Sequence, residues 1–508
     1  MAPLVGEPVV VSIDRALRDS MAEVVYALRT LLHTAGLATR LEWFTEGACP
    51  DVYYGPRRDV AARISIPSVG WPFASAPARH PQGTVDAFGL PFLVFPDATP
   101  TAGTHENERV RYPSDIVFAS YWILTGAVEP TYPRSRMDDL DLDASVLVRD
   151  DLLARPIVSL YAAHLRAVLD PTGQRALPWE WEADGSQVAF AFSHDVDYPE
   201  LIRPIEVLRV LQDRGPRGAG LALRVATGRS HFWTFHEWSP LTARHGTRSC
   251  FYFMARQGSL LQYAMGTPDD FYDVRTPRFQ RLFAELRDAG CEIGLHASYH
   301  AHRSADTLRG EVQRIAEAAG VECAGNRHHY WHLDPAAPNE TLRRHAEAGL
   351  QYDSSLGLEY YPGFRRGICH PFRVFHEGRR APLPIVQLPP AWMDDHFDRR
   401  LARNGITDPD AAARRLLDVA RATRGIVVVD YHSRGMNADF YPRYGPWLDQ
   451  FALRHLDSSV CGMTPGEIHR AFLAREELLE RASVDTTSPS PLAVTPRSAP
   501  SPSTSAVP

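Results

Sequence analysis

From Gln187 onward the sequence alternates short apolar runs with amphipathic stretches, and this alternation limits the possible folds more than any other feature. The runs QVAFAFS, TRSCFYFMA, CEIGLHA, GNRHHYW, QYDSSL, PIVQLPP and GIVVVDYH have the length and composition of strands. Between most of them lie PRFQRLFAELRDAG, SADTLRGEVQRIAEAAG, NETLRRHAEAG and DAAARRLLDVARATRG, whose apolar residues repeat at helical spacing. Strand and helix in regular alternation predict an α/β fold built on a parallel sheet or barrel, over residues 176–481.

Residues 1–175 read as a smaller α/β domain. GEPVVVSID is strand-like, and SMAEVVYALRTLLHTAGL carries helical spacing that ends at Gly36. ATRLEWF and ARISIPSV are further strands, and the Pro-rich stretches PFASAPARHPQG and FPDATPTAGTHENER read as loops. SDIVFASYWILTG fits a buried helix or a strand, and LLARPIVSLYAAHLRAVLD a helix ending near Asp170. The connector PTGQRALPWEWEADGSQ sets the boundary near residue 175. Residues 482–508, nearly all Ser, Thr, Pro, Ala and Val, form a tail expected to be disordered.

A formal charge of -7 over 508 residues gives no reason to expect nucleic acid or an anionic membrane as partner, unless a local basic patch overrides the total. The N-terminus lacks a basic region followed by a long apolar core, and no apolar run is long enough to span a bilayer. A cytoplasmic protein without stable membrane insertion is expected. The six cysteines show no CxxC spacing, which fits buried thiols in a reducing compartment.

Ionisable residues gather where the predicted strands end, the edge at which parallel sheets and barrels keep their sites. Asp195 and Asp197 follow the first strand, and His296 and His300 the third. Arg327, His328 and His329 sit on the fourth, Asp353 on the fifth, and His432 ends the last. His296 and His300 are four apart, so on a helical turn both imidazoles project to one side and can share a cation. Asp195 and Asp197 point the same way from an extended segment, and two carboxylates so close call for a cation between them. An isolated Asp-x-Asp serves equally well as a capping pair, and His-x3-His equally well as a polar helix start. Two imidazoles and one carboxylate with open positions make a hydrolytic site of the kind Zn²⁺ favours, Co²⁺ or another divalent ion being the alternative.

FSHDVDY, GLHASYH, GNRHHYW, YDSSLG and VVVDYHS, in this order, resemble the motif series of the polysaccharide deacetylases, the NodB-homology N-deacetylases of carbohydrate esterase family 4. The likeness covers roughly residues 185–460. It is nearest a branch with HDVD as first motif and an extra N-terminal domain. The resemblance implies a distorted (β/α) barrel of about seven parallel strands. It implies Asp195 as general base, Asp197, His296 and His300 as metal ligands, His432 as general acid, and Arg327 as the residue that fixes the base. Members with adjacent aspartates would place the ligand at Val196, so this chain fits an Asp-x-Asp variant. RHHYW also lacks the usual proline. Asp353 is a candidate for orienting His432 or binding substrate, and Tyr330, Trp331, Arg365 and Arg366 for substrate contact. Asp394 and Asp395 sit at a strand end within reach of the pocket. The implied activity is metal-dependent removal of an N-acetyl group from an amino sugar or glycoconjugate. Hydrolysis of a non-sugar amide and non-catalytic carbohydrate binding are the alternatives.

Overall fold

The computed structural model describes residues 6–484, except 97, 99, 107, 136, 183–184, 201, 260, 263–265 and 398–406. Two sheets follow one another along the chain. The first contains β1 (Val9–Ile13), β2 (Thr39–Trp43), β3 (Val52–Gly55) and β4 (Ile64–Pro67). A separate antiparallel hairpin follows, β5 (Gly83–Ala87) and β6 (Leu90–Val94). β7 (Thr104–Glu106) and β8 (Arg109–Arg111) complete the first sheet, in the order β2-β1-β3-β4-β8-β7. β7 therefore falls within FPDATPTAGTHENER, a stretch expected to be loop, and the hairpin strands lie between that stretch and PFASAPARHPQG, sharing only Gly83 with the latter. They are too short, and too interrupted by Pro and Gly, to show a two-residue period.

SDIVFASYWILTG resolves as a helix, Ile116–Thr125, with every residue buried, which is why it has no amphipathic pattern. The Asp115 carboxylate caps it, accepting from the amides of Val117 and Phe118 at 3.1 and 2.8 Å. It ends at Gly126, whose φ of +62° a side chain resists and whose Cβ would fall 2.1 Å from Arg366.

The second sheet is built from β9 (Val188–Asp195), β10 (Ser249–Met254), β11 (Glu292–Ala297), β12 (Gly325–His328) and β13 (Tyr352–Asp353). It continues with β14 (Phe372–His376), β15 (Ala381–Gln387), β16 (Pro390–Met393), β17 (Ile426–Asp430) and β18 (Val460–Gly462). Its order is β14-β15-β13-β12-β11-β10-β9-β17-β16, with β18 also paired to β9. From β15 to β16 every pairing is parallel; β14 adds to β15 antiparallel. Among the described residues β14 and β16 are the ends of the path, so the sheet curls as a half-barrel rather than closing. The path holds eight parallel strands where about seven were expected, because PAWM forms a strand of its own.

Alternation along β9 decides which side chains line the curl. Phe190 and Phe192 join the large apolar cluster that includes Leu282, Phe283, Leu308 and Leu416 of the flanking helices. Ala189 and Ala191 face the other way, into a smaller cluster with Cys250, Tyr252, Tyr352 and Val428. The same parity carried forward puts Ser193 and Asp195 on the inner face. The lumen is tight: a Cβ on Gly325 would lie 1.9 Å from the Tyr352 ring.

The helix Pro465–Val484 closes the base, with Ile468 and Ala471 in the inner cluster. Its Arg475 stacks over Trp179 at 3.8 Å and donates to the carbonyls of His33 and Leu177 at 2.6 and 3.1 Å. That helix carries the chain past residue 481, and the expected tail from 485 to 508 lies outside the described residues.

Three histidines outside the set of candidate ligands are buried without charge. His33, His194 and His370 are each lowered to about 3, in every case chiefly by burial. The unfolded chain takes up their protons near pH 6.5, so their stabilising contribution is complete above that pH and lost as pH falls toward 3. The thermal midpoint should therefore drop by roughly 6 °C between pH 7 and pH 5. His370→Gln should flatten that slope by about one proton in a calorimetric pH series. An unchanged slope would contradict the assignment.

Candidate active site

The inner-face parity of β9 brings Asp195 to the sheet's C-terminal edge, where β12 and β17 supply its partners. Arg327, fully buried, places Nη1 3.1 Å from Asp195 Oδ1 and 2.9 Å from Asp430 Oδ1. Its Nη2 donates to the hydroxyls of Ser193 and Ser354 at 2.6 and 3.1 Å, and its guanidinium lies 4.7 Å from the Tyr252 ring centroid. One cation thus faces two carboxylates. Burial pushes Asp430 well above the usual carboxylate range against the pull of Arg327, so Asp430 takes the proton.

Beside this pair stand Asp197, His296 and His329, all buried, each offering a ligand atom within 4.8 Å of the others. His296 Nε2 lies 3.4 Å from Asp197 Oδ1, and His329 Nε2 lies 3.8 Å from the same oxygen. All three atoms are buried without a hydrogen-bond partner among the described residues. Orphaned polar atoms so close together are costly unless something between them satisfies all three. Ligands about 2.0–2.2 Å from a tetrahedral zinc ion are themselves roughly 3.3–3.6 Å apart, close to the separations here.

The far nitrogens complete the fit. His296 Nδ1 donates to the carbonyl of Arg327 at 2.8 Å, and His329 Nδ1 faces Asp269 Oδ1 at 3.3 Å. Each imidazole is therefore held in the tautomer that leaves Nε2 a lone pair, the arrangement of metal-binding histidines. The pocket also favours positive charge. Burial disfavours an imidazolium at His296, yet Asp195 and Asp197 outweigh it and raise the group to about 9. Asp197 itself sits well below its ordinary value: burial opposes this, and His329 and His296 outweigh the burial. Burial and the charge on Asp197 push neighbouring Asp270 up to about 8.

His432 flanks the other side. Its Nε2 lies 3.4 Å from Asp197 Oδ2, while Nδ1 meets Asp394 Oδ1 at 2.9 Å. Asp394 Oδ2 accepts the backbone amide of His432, also at 2.9 Å. Burial lowers His432, but Asp394 overrides it and holds the group well above the usual histidine range. Arg434 donates to the Asp197 carbonyl at 3.1 Å. The ring of Tyr330, 4.7 Å from that of His329, is 39% exposed at the mouth.

The structure groups several expected residues differently. His300 stands with His302 and His332, not with Asp197 and His296. In that second set His302 and His332 both donate Nδ1 to the Tyr299 carbonyl, at 3.0 and 2.8 Å, and the remaining nitrogen of His332, Nε2, is engaged by Asp138 Oδ2 at 3.1 Å. The reason is local, since the chain after His296 is still strand through Ala297 and does not turn helically until Ala301. Asp353 does not orient His432. It accepts from Asn326 and Ser355 at 2.8 and 2.7 Å and pairs with His345 at 3.1 Å. Arg365 and Arg366 are buried around Glu129, with Nη2 of Arg365 at 2.6 Å and Nε of Arg366 at 3.0 Å from its carboxylate. Those contacts turn both arginines toward the helix Ile116–Thr125 rather than toward a ligand. Trp331 is buried, its ring against Gly357.

The sequence reading passed over Asp269, Asp430 and Arg434. His329 stands out in the sequence only as a residue of the fourth strand run, and the turn that follows it is visible only in the structure. Tyr330 and Trp331 hold φ of +57° and +47°, and they turn the chain sharply just past His329.

Metal analysis separates the two histidine sets. His329→Ala should weaken zinc binding by at least tenfold and Asp269→Asn by roughly 10–100-fold, while His300→Ala binds as wild type does. Loss of metal in His300→Ala with retention in His329→Ala would reverse the assignment.

No protein-family model and no curated protein matches the chain. Among the solved structures it matches are polysaccharide deacetylases and family 4 carbohydrate esterases. A Mycobacterium smegmatis protein assigned as a polysaccharide deacetylase is 20% identical, with a TM-score of 0.37 over 64% of this chain and 97% of that one. A family 4 carbohydrate esterase from Streptomyces lividans, in complex with acetate, is 13% identical, with a TM-score of 0.25 over 55% and 92%. A Bacillus subtilis peptidoglycan deacetylase is 12% identical, with a TM-score of 0.25 over 59% and 98%.

Proposed function

We propose that this chain is a metal-dependent hydrolase of the polysaccharide deacetylase superfamily that removes an N-acetyl group from an amino sugar or glycoconjugate. The observation that carries the reading is the trio of orphaned, converging atoms on Asp197, His296 and His329, with Asp195 on one side and His432 on the other. These three residues would hold a divalent cation, zinc or a close substitute such as Co²⁺. When bound, such a cation polarises an amide carbonyl and acidifies water.

The remaining work falls to the chain's own groups. Arg327 fixes Oδ1 of Asp195, which leaves Oδ2, 3.7 Å from His296 Nε2, to accept the proton of the attacking water. Asp430, pushed up by burial, shares Arg327 with Asp195 from the other side. Asp394 holds His432 at Nδ1 and favours its cationic form, so Nε2–H is the proton donor for the departing amine. That donation matters because an unprotonated amide nitrogen is a poor leaving group. Products are acetate and a free amino group.

Acetate release over a panel of N-acetylated sugars tests the reading. Asp195→Asn and His432→Gln should each lower kcat by roughly 10²–10⁴ with metal content retained. A general acid works while protonated, so activity fails as pH rises past its pKa. Asp394→Asn removes the charge that raises that pKa, and the alkaline limb of the profile should move to lower pH. Asp195→Asn turning over within a few-fold of wild type would sink the proposal.

A further inference from the structure

Immediately after Asp197 the chain forms two helices, Arg203–Arg214 and Ala219–Ala226, that pack mainly on each other. Their outer side is unusual. Ile205, Leu208 and Leu211, at helical spacing along the first helix, are 42, 57 and 40% exposed, and Leu223 of the second is 66% exposed. Interspersed with them are Arg203, Arg209, Arg214, Arg217, Arg224 and Arg229, against only Glu206 and Asp213 in the same segment. The segment 203–229 thus carries a formal +4 within a chain of -7. Arg209 and Arg224 are engaged with Glu206 and Asp439, at 3.1 and 3.0 Å, and Glu206 is itself buried. Exposed leucines set among arginines are the signature of a helix that lies in the headgroup layer of a membrane.

The hairpin also borders a cavity next to the candidate site. Of about 300 Å³, it lies between the first helix and the loop after β17, lined by Ile205, Val210 and Phe232 together with charged side chains that include Glu206, Asp213 and Arg434. Arg434 is the residue that donates to the Asp197 carbonyl. The cavity therefore reaches from the hairpin to a residue in contact with Asp197, with apolar side chains along part of its wall.

We propose that the hairpin 203–226 docks the protein on an anionic lipid bilayer. Resting on the hydrolase reading above, the substrate is then an amphiphile, an N-acylated sugar carried on a lipid whose apolar portion enters through this cavity. Charge complementarity favours the bilayer over the same face of a second copy of the chain, because two such basic faces repel each other while anionic headgroups attract one, and the local +4 overrides the acidic total at this surface. No described helix is long and apolar enough to cross a membrane, so the contact is peripheral.

Co-sedimentation of the full chain with vesicles, without substrate, tests the docking apart from the chemistry. Wild type should sediment with vesicles of one part phosphatidylglycerol to two parts phosphatidylcholine, not with phosphatidylcholine alone, and less as salt rises. Leu208→Glu/Leu223→Glu should reduce the bound fraction at least tenfold, and Arg203→Glu/Arg217→Glu/Arg229→Glu should do likewise. Both variants should keep wild-type metal content and, on a water-soluble N-acetyl substrate, activity within twofold. Wild type that ignores anionic vesicles, or variants that bind as wild type does, would overturn the proposal. So would a leucine variant that only converts a dimer to a monomer. Failure of the hydrolase reading would appear instead as absent metal or absent acetate release, with vesicle binding unaffected.

Discussion

One buried guanidinium organises the edge of the sheet on which everything else depends. Arg327 comes from β12, yet its partners lie on β9, β17 and the segment after β13, so a single side chain ties four neighbouring chain segments at their C-terminal ends. A buried arginine is tolerable only when paired, and a paired set is intolerant of losing one member. Two carboxylates on one cation would leave a negative charge in excess. Burial answers that excess by pushing Asp430 well above the usual carboxylate range. The base is thereby fixed in orientation before any ligand arrives.

The histidines follow the same economy of donors. His296 uses the Arg327 carbonyl and His329 uses Asp269, so the residue that holds the base also orients a ligand through its backbone. His432 uses Asp394 and keeps its other nitrogen for the substrate side. In each case one ring nitrogen is committed to the protein, and what remains free points at a shared small volume around Asp197. His302 and His332, whose Nδ1 atoms converge on the Tyr299 carbonyl, lack that convergence of free lone pairs on a carboxylate.

Much of this is legible in the sequence. The strand runs of the second sheet alternate with their helices, and parity along VAFAFSHD places Asp195 in line with Ala189, Ala191 and Ser193 on the inner face. His296, Arg327 and His432 were recognisable because they end strands, which is a one-dimensional signal. The departures share a different cause. His300 was paired with His296 by assuming helical spacing where the backbone is still extended. Asp394, not Asp353, orients His432, because only pairing order shows that β16, not β13, lies beside β17. Arg365 and Arg366 looked free because their counter-charge, Glu129, is more than two hundred positions away. The short strands β5 to β8 were hidden by the Pro and Gly content that terminates them.

The account comes down to where a cation sits. Anomalous X-ray scattering from crystals of the zinc-loaded protein, collected on both sides of the zinc edge, reads that position directly. The predicted result is one strong peak bounded by Asp197, His296 and His329, about 2.0–2.2 Å from each ligand atom. A peak bounded by His300, His302 and His332 instead, or by none of these residues, would contradict the central claim.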